Sequence, residues 1–303
     1  MSRHLIMNGV RDPRGFIDFW WRDLGARLSA GMARTQPHVP QSERWIARWL
    51  WVCLIVAITL YAAGGYEAGF TRLNAAAAHA PDGLWACLTV LGDERVVFAL
   101  ALLFALRYPR LFWALILAAL IAAAYSRGFK ALFDTTRPPG ILPVEGFNLI
   151  GPGHRRAAFP SGHSVTAAVF FGTLLYFSTW NGLRALWLTL AVLVGLSRIA
   201  VGVHWPLDVA AGLFGGALAA WIGAHLAARW PGPATARPLH LAVVALGLIL
   251  ALTLPFDDGG YPDAALLLTL LSLLTVGVVA AGYLIGPMLR HRSGSRRSLE
   301  DAP

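Results

Sequence analysis

The sequence predicts an all-α fold, a polytopic membrane helical bundle of about eight spans, and three observations carry that prediction. Of 303 residues, 57% are hydrophobic and only 14% charged, and the mean hydropathy is +0.58, outside the balance of a water-soluble domain. From Trp49 onward, long apolar stretches alternate with short polar breaks, and a helix needs roughly 20 apolar residues to cross a ~30 Å hydrocarbon core. The arginines fall mainly in alternate breaks, as they do when basic loops stay cytoplasmic.

The same figures exclude other classes. A formal charge of +9 and a pI near 10.4 invite a nucleic-acid reading. The hydropathy opposes it, so the expected partner is the lipid bilayer and not nucleic acid. A disordered chain would need low hydrophobicity, and a disulfide scaffold would need more than two cysteines. Cys53 and Cys87 both sit in apolar runs and read as buried thiols. Of the 25 basic residues, Lys130 is the only lysine.

Residues 1–45 form a basic segment with no long apolar run, so neither a signal peptide nor a span is expected there. Within it Phe16, Ile17, Phe19, Trp20, Trp21, Leu24 and Leu28 interleave with Arg14, Arg22 and Arg27, a pattern open both to an interfacial helix on anionic lipid and to a solvated tail. The predicted spans follow at 46–66, 86–107, 110–133, 162–180, 184–201, 206–229, 239–256 and 264–289. Asp93, Glu94 and Arg95 interrupt the second, which leaves 74–91 open to being a separate surface or re-entrant helix. The last two carry no Asp, Glu, Lys or Arg and read as a lipid-facing hairpin over 239–289, without chemistry of its own. A basic tail, 290–303, closes the sequence.

Placing the N-terminus inside gives the inner segments 17 basic residues and the outer segments 8. Trp45, Trp49, Trp113, Trp180, Trp187 and Trp230 then fall near inner boundaries, where interfacial belts lie. Both termini are expected to be cytoplasmic.

Ionisable groups in or beside a span are costly enough to point to function, and three clusters share the outer face. Lys130 and Arg137, seven residues apart at the end of the third span, would share a helix face, although Lys130 and Asp134 could simply neutralise one another. Pro160-Ser161-Gly162-His163 opens the fourth span. Ser161 is a natural N-cap, and the helix start it caps offers N–H groups to an anion; an ordinary helix start is the plainer alternative. Ser197 and Arg198 close the fifth span, and His204 and Asp208 open the sixth. A carboxylate one turn after a histidine can accept its Nδ1–H and leave Nε2 as a nucleophile, or the pair can merely cap a helix. Together these groups describe a phosphate site with its own nucleophile and acid. No metal cofactor is expected, because zinc and two-metal sites use more carboxylates or histidines than this face offers.

Lys130-x6-Arg137-Pro138, Pro160-Ser161-Gly162-His163 and Ser197-Arg198-x5-His204-x3-Asp208 resemble the three-part signature of the type 2 phosphatidic acid phosphatase (PAP2) superfamily, with all eleven signature residues present. The resemblance implies a six-helix catalytic core over 46–229, with the C-terminal hairpin as an addition. It implies that His204 attacks phosphorus and forms a phosphohistidine, that Asp208 orients it, and that His163 is the general acid. Lys130, Arg137 and Arg198, assisted by Ser161 and Gly162, would bind the phosphate oxygens. By resemblance the candidate substrates are undecaprenyl diphosphate, phosphatidylglycerophosphate, phosphatidic acid and the 1-phosphate of lipid A, met at the periplasmic face of the inner membrane.

His154, Arg155 and Arg156 precede the Pro-Ser-Gly-His turn and read as headgroup contacts for a second anionic group, or as nonspecific contacts with the lipid surface. A lipid phosphotransferase would use the same intermediate. A transporter or scaffold would tolerate loss of a signature residue, and none is lost. A vanadium haloperoxidase shares the signature, but the apolar spans oppose it. The remaining histidines, His4, His38, His79, His225, His240 and His291, lie in tails or alone near span ends and are given no role. The sequence leaves the oligomeric state open.

Overall fold

The computed structural model describes residues 13–300; the first twelve residues of the basic N-terminal segment, His4 among them, and the last three of the tail lie outside it. The described residues form helices and turns with no strand. In order these are α1 (Pro13–Met32), α2 (Ser42–Gly64), α3 (Phe70–Ala77), α4 (Asp82–Val90), α5 (Glu94–Ala105), α6 (Pro109–Leu132), α7 (Pro138–Ile141), α8 (Gly162–Phe177), α9 (Asn181–Ala200), α10 (Pro206–Arg229), α11 (Arg237–Thr253), α12 (Ala265–Ala280) and α13 (Gly286–Glu300). A π-helical turn, Ala281–Ile285, joins the last two. Proline sits in the first turn of α6, α10 and α11, where its missing N–H costs nothing.

Among the described residues, six helices are long and apolar enough to cross a membrane: 42–64, 109–132, 181–200, 206–229, 237–256 and 262–293. The other two predicted spans are shorter, for different reasons. In place of the second, α4 and α5 are separate helices. The Asp93-Glu94-Arg95 triplet is a helix start, with the Asp93 carboxylate accepting from Arg95 N at 2.8 Å as the N-cap of α5. At 12 residues α5 rises ~18 Å. The fourth span is the 16-residue α8, of which twelve residues are buried. A helix apolar on every side belongs in the middle of a bundle, and one that meets no lipid need not match the bilayer's thickness.

Around α8 stand α10, α9, α6 and α2, with α10 also packed on α6 and α2. Inside a membrane, lipid is as apolar as leucine, so close backbone approach between small residues carries helix association. Gly212 and Gly216 supply that approach. A Cβ at Gly212 would lie 2.7 Å from the Ser161 carbonyl oxygen, and one at Gly216 would lie 2.6 Å from Ala168 Cβ. The outer surface of α2 exposes Trp51, Val52, Ile55, Ile58 and Tyr61, as a lipid-facing helix should.

The C-terminal hairpin is only half lipid-facing. Leu246, Ile249, Leu266 and Leu270 point outward, but α11 and α12 pack on α5 through buried Val244, Ala251, Leu268 and Thr275. At the opposite end of the bundle from the three clusters, α1 is docked rather than solvated. Leu24 and Leu28 are buried, Trp20 Nε1 donates to the Tyr283 carbonyl at 2.7 Å, and Arg27 donates to the Gly282 carbonyl at 2.6 Å. His291 rests on Phe16 and Phe19. Both cysteines are free thiols, Cys53 buried as expected and Cys87 only half-buried.

Candidate active site

The three clusters meet at one end of the bundle. The chain after α6 runs beside the segment before α8: Arg137 N donates to the Arg155 carbonyl at 2.9 Å, and Ala158 N to the Thr135 carbonyl at 3.0 Å. That segment is joined to α10 by Ser161 N donating to the Asp208 carbonyl at 3.1 Å, and Trp205 Nε1 reaches back to the Thr136 carbonyl at 2.8 Å. These bonds, together with the glycine contacts of α10, fix the clusters relative to one another.

The result is a cavity of about 410 Å³ whose wall includes Lys130, Arg137, His154, Gly162, His163, Arg198 and His204. Three cations and two signature histidines therefore face one volume. Gly162 faces Lys130 across it, since a Cβ there would lie in ordinary contact, 3.6 Å from Lys130 Nζ. Asp208 and Ser161 stand behind the wall. The Asp208 Oδ2 atom is 3.1 Å from His204 Nδ1 and accepts from Trp205 N at 3.0 Å. Asp208 thus caps α10 and holds the histidine at once, so the two readings of this pair are one structure. Ser161 is fully buried and caps α8, its Oγ accepting from Ser164 N at 3.4 Å and from Ser164 Oγ at 2.9 Å. Its hydroxyl serves the helix start, while Gly162 is the part of the turn that faces the cavity.

With Nδ1–H given to Asp208, the ring nitrogen left free on His204 is Nε2. His204 is 1% exposed, and burial together with the charges of Arg137, Arg198 and Lys130 holds its pKa well below the ordinary histidine value. Arg137 donates from Nε to the Arg156 carbonyl at 2.8 Å and from Nη2 to the Ala157 carbonyl at 3.3 Å. Burial and the neighbouring Arg198 charge lower its pKa to about 10, so it remains a cation at neutral pH. His154 is pushed down by burial and by the same cations.

Of the three residues read as headgroup contacts, His154 reaches the cavity wall, whereas the Arg155 and Arg156 side chains are exposed and only their carbonyls serve the site, as acceptors for Arg137.

Several residues of the site carry no signal in the sequence. Tyr66, just past α2, donates its hydroxyl to Asp208 Oδ1 and lies 3.2 Å from Thr135 Oγ1. Burial and the Asp208 charge raise its pKa. Arg198 donates from Nη1 to Thr89 of α4 and, at 3.2 Å, to Tyr261 Oη. Its Nε has no partner although it is buried. Asp93, Glu94 and Arg95 also line the wall, flagged in the sequence only as an interruption. Arg95 Nη1 binds Asp257 Oδ2 at 2.7 Å. Tyr261 and Asp257 both belong to the loop between α11 and α12, so the hairpin reaches the site through its turn.

The chain is similar to several known proteins. Undecaprenyl-diphosphatase from Sulfolobus acidocaldarius is 35% identical over 144 residues, which is 46% of this chain and 66% of that one. Lipid A 1-phosphatase from Rhizobium etli is 44% identical over 61 residues, 20% of this chain and 25% of that one. In both cases the chain spans less than two thirds of the relative's length. The crystal structure of Aquifex aeolicus LpxE aligns with a TM-score of 0.47 and 29% identity, over 51% of this chain and 91% of that one. A family model described as PAP2 superfamily matches residues 110–231. That stretch runs from the start of α6 past the end of α10 and holds every signature residue from Lys130 to Asp208, so over residues 110–231 the chain matches the PAP2 superfamily.

Proposed function

We propose that the chain is an integral membrane lipid phosphatase that hydrolyses a phosphate monoester or diphosphate of a membrane lipid through a phosphohistidine, without a metal cofactor. One observation carries the reading: a histidine with Nδ1 fixed by a buried carboxylate shares a cavity with a second histidine and three cations.

Each residue takes the role its position permits. Lys130, Arg137 and Arg198 bind the non-bridging oxygens, with the Gly162 amide at the start of α8. His204 Nε2 attacks phosphorus, and the bond from phosphorus to the lipid-side oxygen breaks as His163 gives that oxygen a proton. Water then attacks the phosphohistidine, His163 takes the water proton, and inorganic phosphate leaves with the P–N electron pair returned to His204. Asp208 stabilises the imidazolium that forms. Phosphoryl transfer depends mainly on positioning and charge stabilisation, and a wall in which Lys130, Arg137, Arg198 and Arg95 outnumber the Asp93 and Glu94 carboxylates suits an anion better than a metal ion.

The cavity lies at the end of the bundle opposite α1 and its arginines, which supports an extracytoplasmic site with both termini in the cytoplasm. The relatives' names favour undecaprenyl diphosphate or the 1-phosphate of lipid A as substrate, ahead of phosphatidylglycerophosphate and phosphatidic acid. The test offers all four lipids to the purified protein in EDTA and measures free phosphate and lipid products together. Phosphate release that His204→Ala abolishes is expected. Full activity in that variant, or phosphate appearing only on another lipid, would sink the hydrolase.

A further inference from the structure

At the end of the bundle away from the cavity, three side chains of metal-ligating type meet. His38 in the loop after α1, Glu43 in the first turn of α2 and His225 near the end of α10 bring one ligand atom each within 4.8 Å of one another. The His38 and His225 ring centroids are 5.6 Å apart. Neither histidine stands out in the sequence, because residues 187 positions apart have no periodicity to share.

The hydrogen bonds of His225 set the chemistry. Its Nδ1 is 2.9 Å from the Trp221 carbonyl oxygen, one turn back. A carbonyl only accepts, so Nδ1 carries the hydrogen, and in the neutral ring Nε2 is left with a lone pair. That lone pair faces Glu43 Oε1 at 3.1 Å. Two acceptors at this distance need a proton or a cation between them. A histidine that gives its far N–H to a backbone carbonyl has the outer arrangement of a metal-bound imidazole. His38 adds a third donor, which a shared proton between the other two would not use.

The ligands also sit on a fixed frame. Arg184 of α9, 1% exposed, donates to the Pro40 carbonyl at 2.7 Å and to Asn181 Oδ1 at 2.9 Å. Ser42 Oγ donates to the Tyr176 carbonyl at 2.5 Å. The stretch between His38 and Glu43 is thereby tied to α8 and α9, so little ordering remains to be done on binding.

We propose that His38, Glu43 and His225 form a zinc-type divalent metal site, completed by water, that clamps the entry to α2 onto the inner end of α10. Two imidazoles and a carboxylate suit zinc better than the hard, all-oxygen cations. Bonds of ~2.1 Å would place tetrahedral ligand atoms ~3.4 Å apart, within reach of side-chain rotation from the observed spacing. The site is separate from the catalytic cavity, since Asp208 and His225 lie about 26 Å apart along α10.

The test titrates the full chain in detergent, affinity tag removed, with Co²⁺ and then Zn²⁺, following visible Co²⁺ absorption and metal bound per chain. One Co²⁺ per chain, displaced by Zn²⁺, is expected. Its affinity should fall about tenfold or more in His38→Gln, Glu43→Gln and His225→Gln. Phosphate release in EDTA should be unchanged in all three. Absence of Co²⁺ binding by the wild type would leave Glu43 and His225 an ordinary ion pair and overturn the site. Equal binding by wild type and variants would place the metal elsewhere and overturn it equally. Should His225→Gln fail to fold, His38→Gln decides, since it alters an exposed side chain.

Discussion

Arg198, at the end of α9, donates to Tyr261 Oη at 3.2 Å, so a cation of the cavity wall is held in part by the turn of the C-terminal hairpin. A hydrogen bond to a charged group contributes ~1.5 kcal/mol, which is about tenfold in rate if it is realised in the transition state. Tyr261→Phe should therefore lower kcat/KM by about threefold to tenfold, measured as phosphate release, with little change in thermal unfolding. An unchanged kcat/KM would confine the hairpin to a packing role.

Asp208 holds His204 by Nδ1 and is itself held by Tyr66. Asp208→Asn removes the negative charge and admits the wrong tautomer of His204, so activity should fall by about 10³-fold or more, as when a buried aspartate of a catalytic triad is replaced. Tyr66→Phe should cost about tenfold, because the carboxylate keeps its bond to Trp205 N. Kinetics of the two single variants and the double variant would show whether the residues act as one unit, in which case their effects will not add.

The pH dependence follows from His204, whose folded pKa lies well below the ordinary histidine value because of burial and the surrounding cations. Below about pH 6.5 the unfolded chain binds a proton that the folded chain refuses, so stability is lost as pH falls through that range. Thermal unfolding in detergent should show the loss between pH 7 and pH 5, and His204→Asn should flatten it. The acid limb of kcat/KM should likewise lie below pH 6.5, because the free enzyme keeps Nε2 unprotonated there.

Gly216 packs α10 against α8 with its would-be Cβ 2.6 Å from Ala168 Cβ. Gly216→Leu would wedge apart the helices that carry Asp208 and His163, and even a 1 Å misplacement can cost about 10²-fold in rate. Activity should fall by about that much or more. Gly277→Leu, at a site with open space around it, is the control expected to leave activity intact.

Arg155 and Arg156 give their carbonyls to Arg137 while their side chains are exposed. Arg155→Gln and Arg156→Gln should therefore leave phosphate release from a monophosphate lipid within about twofold, since surface charges contribute little to a fixed local structure. Should the same changes shift the preference between mono- and diphosphate lipids, the side chains read a second anionic group. An unchanged preference would leave them as contacts with the lipid surface.

Much of this molecule is legible in its sequence because its strongest signals are local. Apolar length gives α2, α6, α9, α10, α11 and α12, since each must satisfy its backbone in lipid by itself. The ends of α8 and α10 are announced by Ser161 and Pro206, residues that act within one turn. The length rule misleads for α5 and α8, because a helix shielded by its neighbours is released from the bilayer's dimensions. Lys130, Arg137, His163, Arg198 and His204 stand out as costly polar groups at span ends, and the structure brings all five to one cavity.

Hydrophobicity, caps and charge act over one or two turns, so the order of residues already shows which have chemistry to offer and which end of each helix carries them. What holds those residues depends instead on how the helices pack. Tyr66, Thr89 and Tyr261 come from three separate parts of the chain to grip Asp208 and Arg198, and His38, Glu43 and His225 converge at the far end of α10. A hydrogen bond or a ligand set depends on distances of a few ångströms between helices, and those distances are set by how small residues such as Gly212 and Gly216 let the backbones meet.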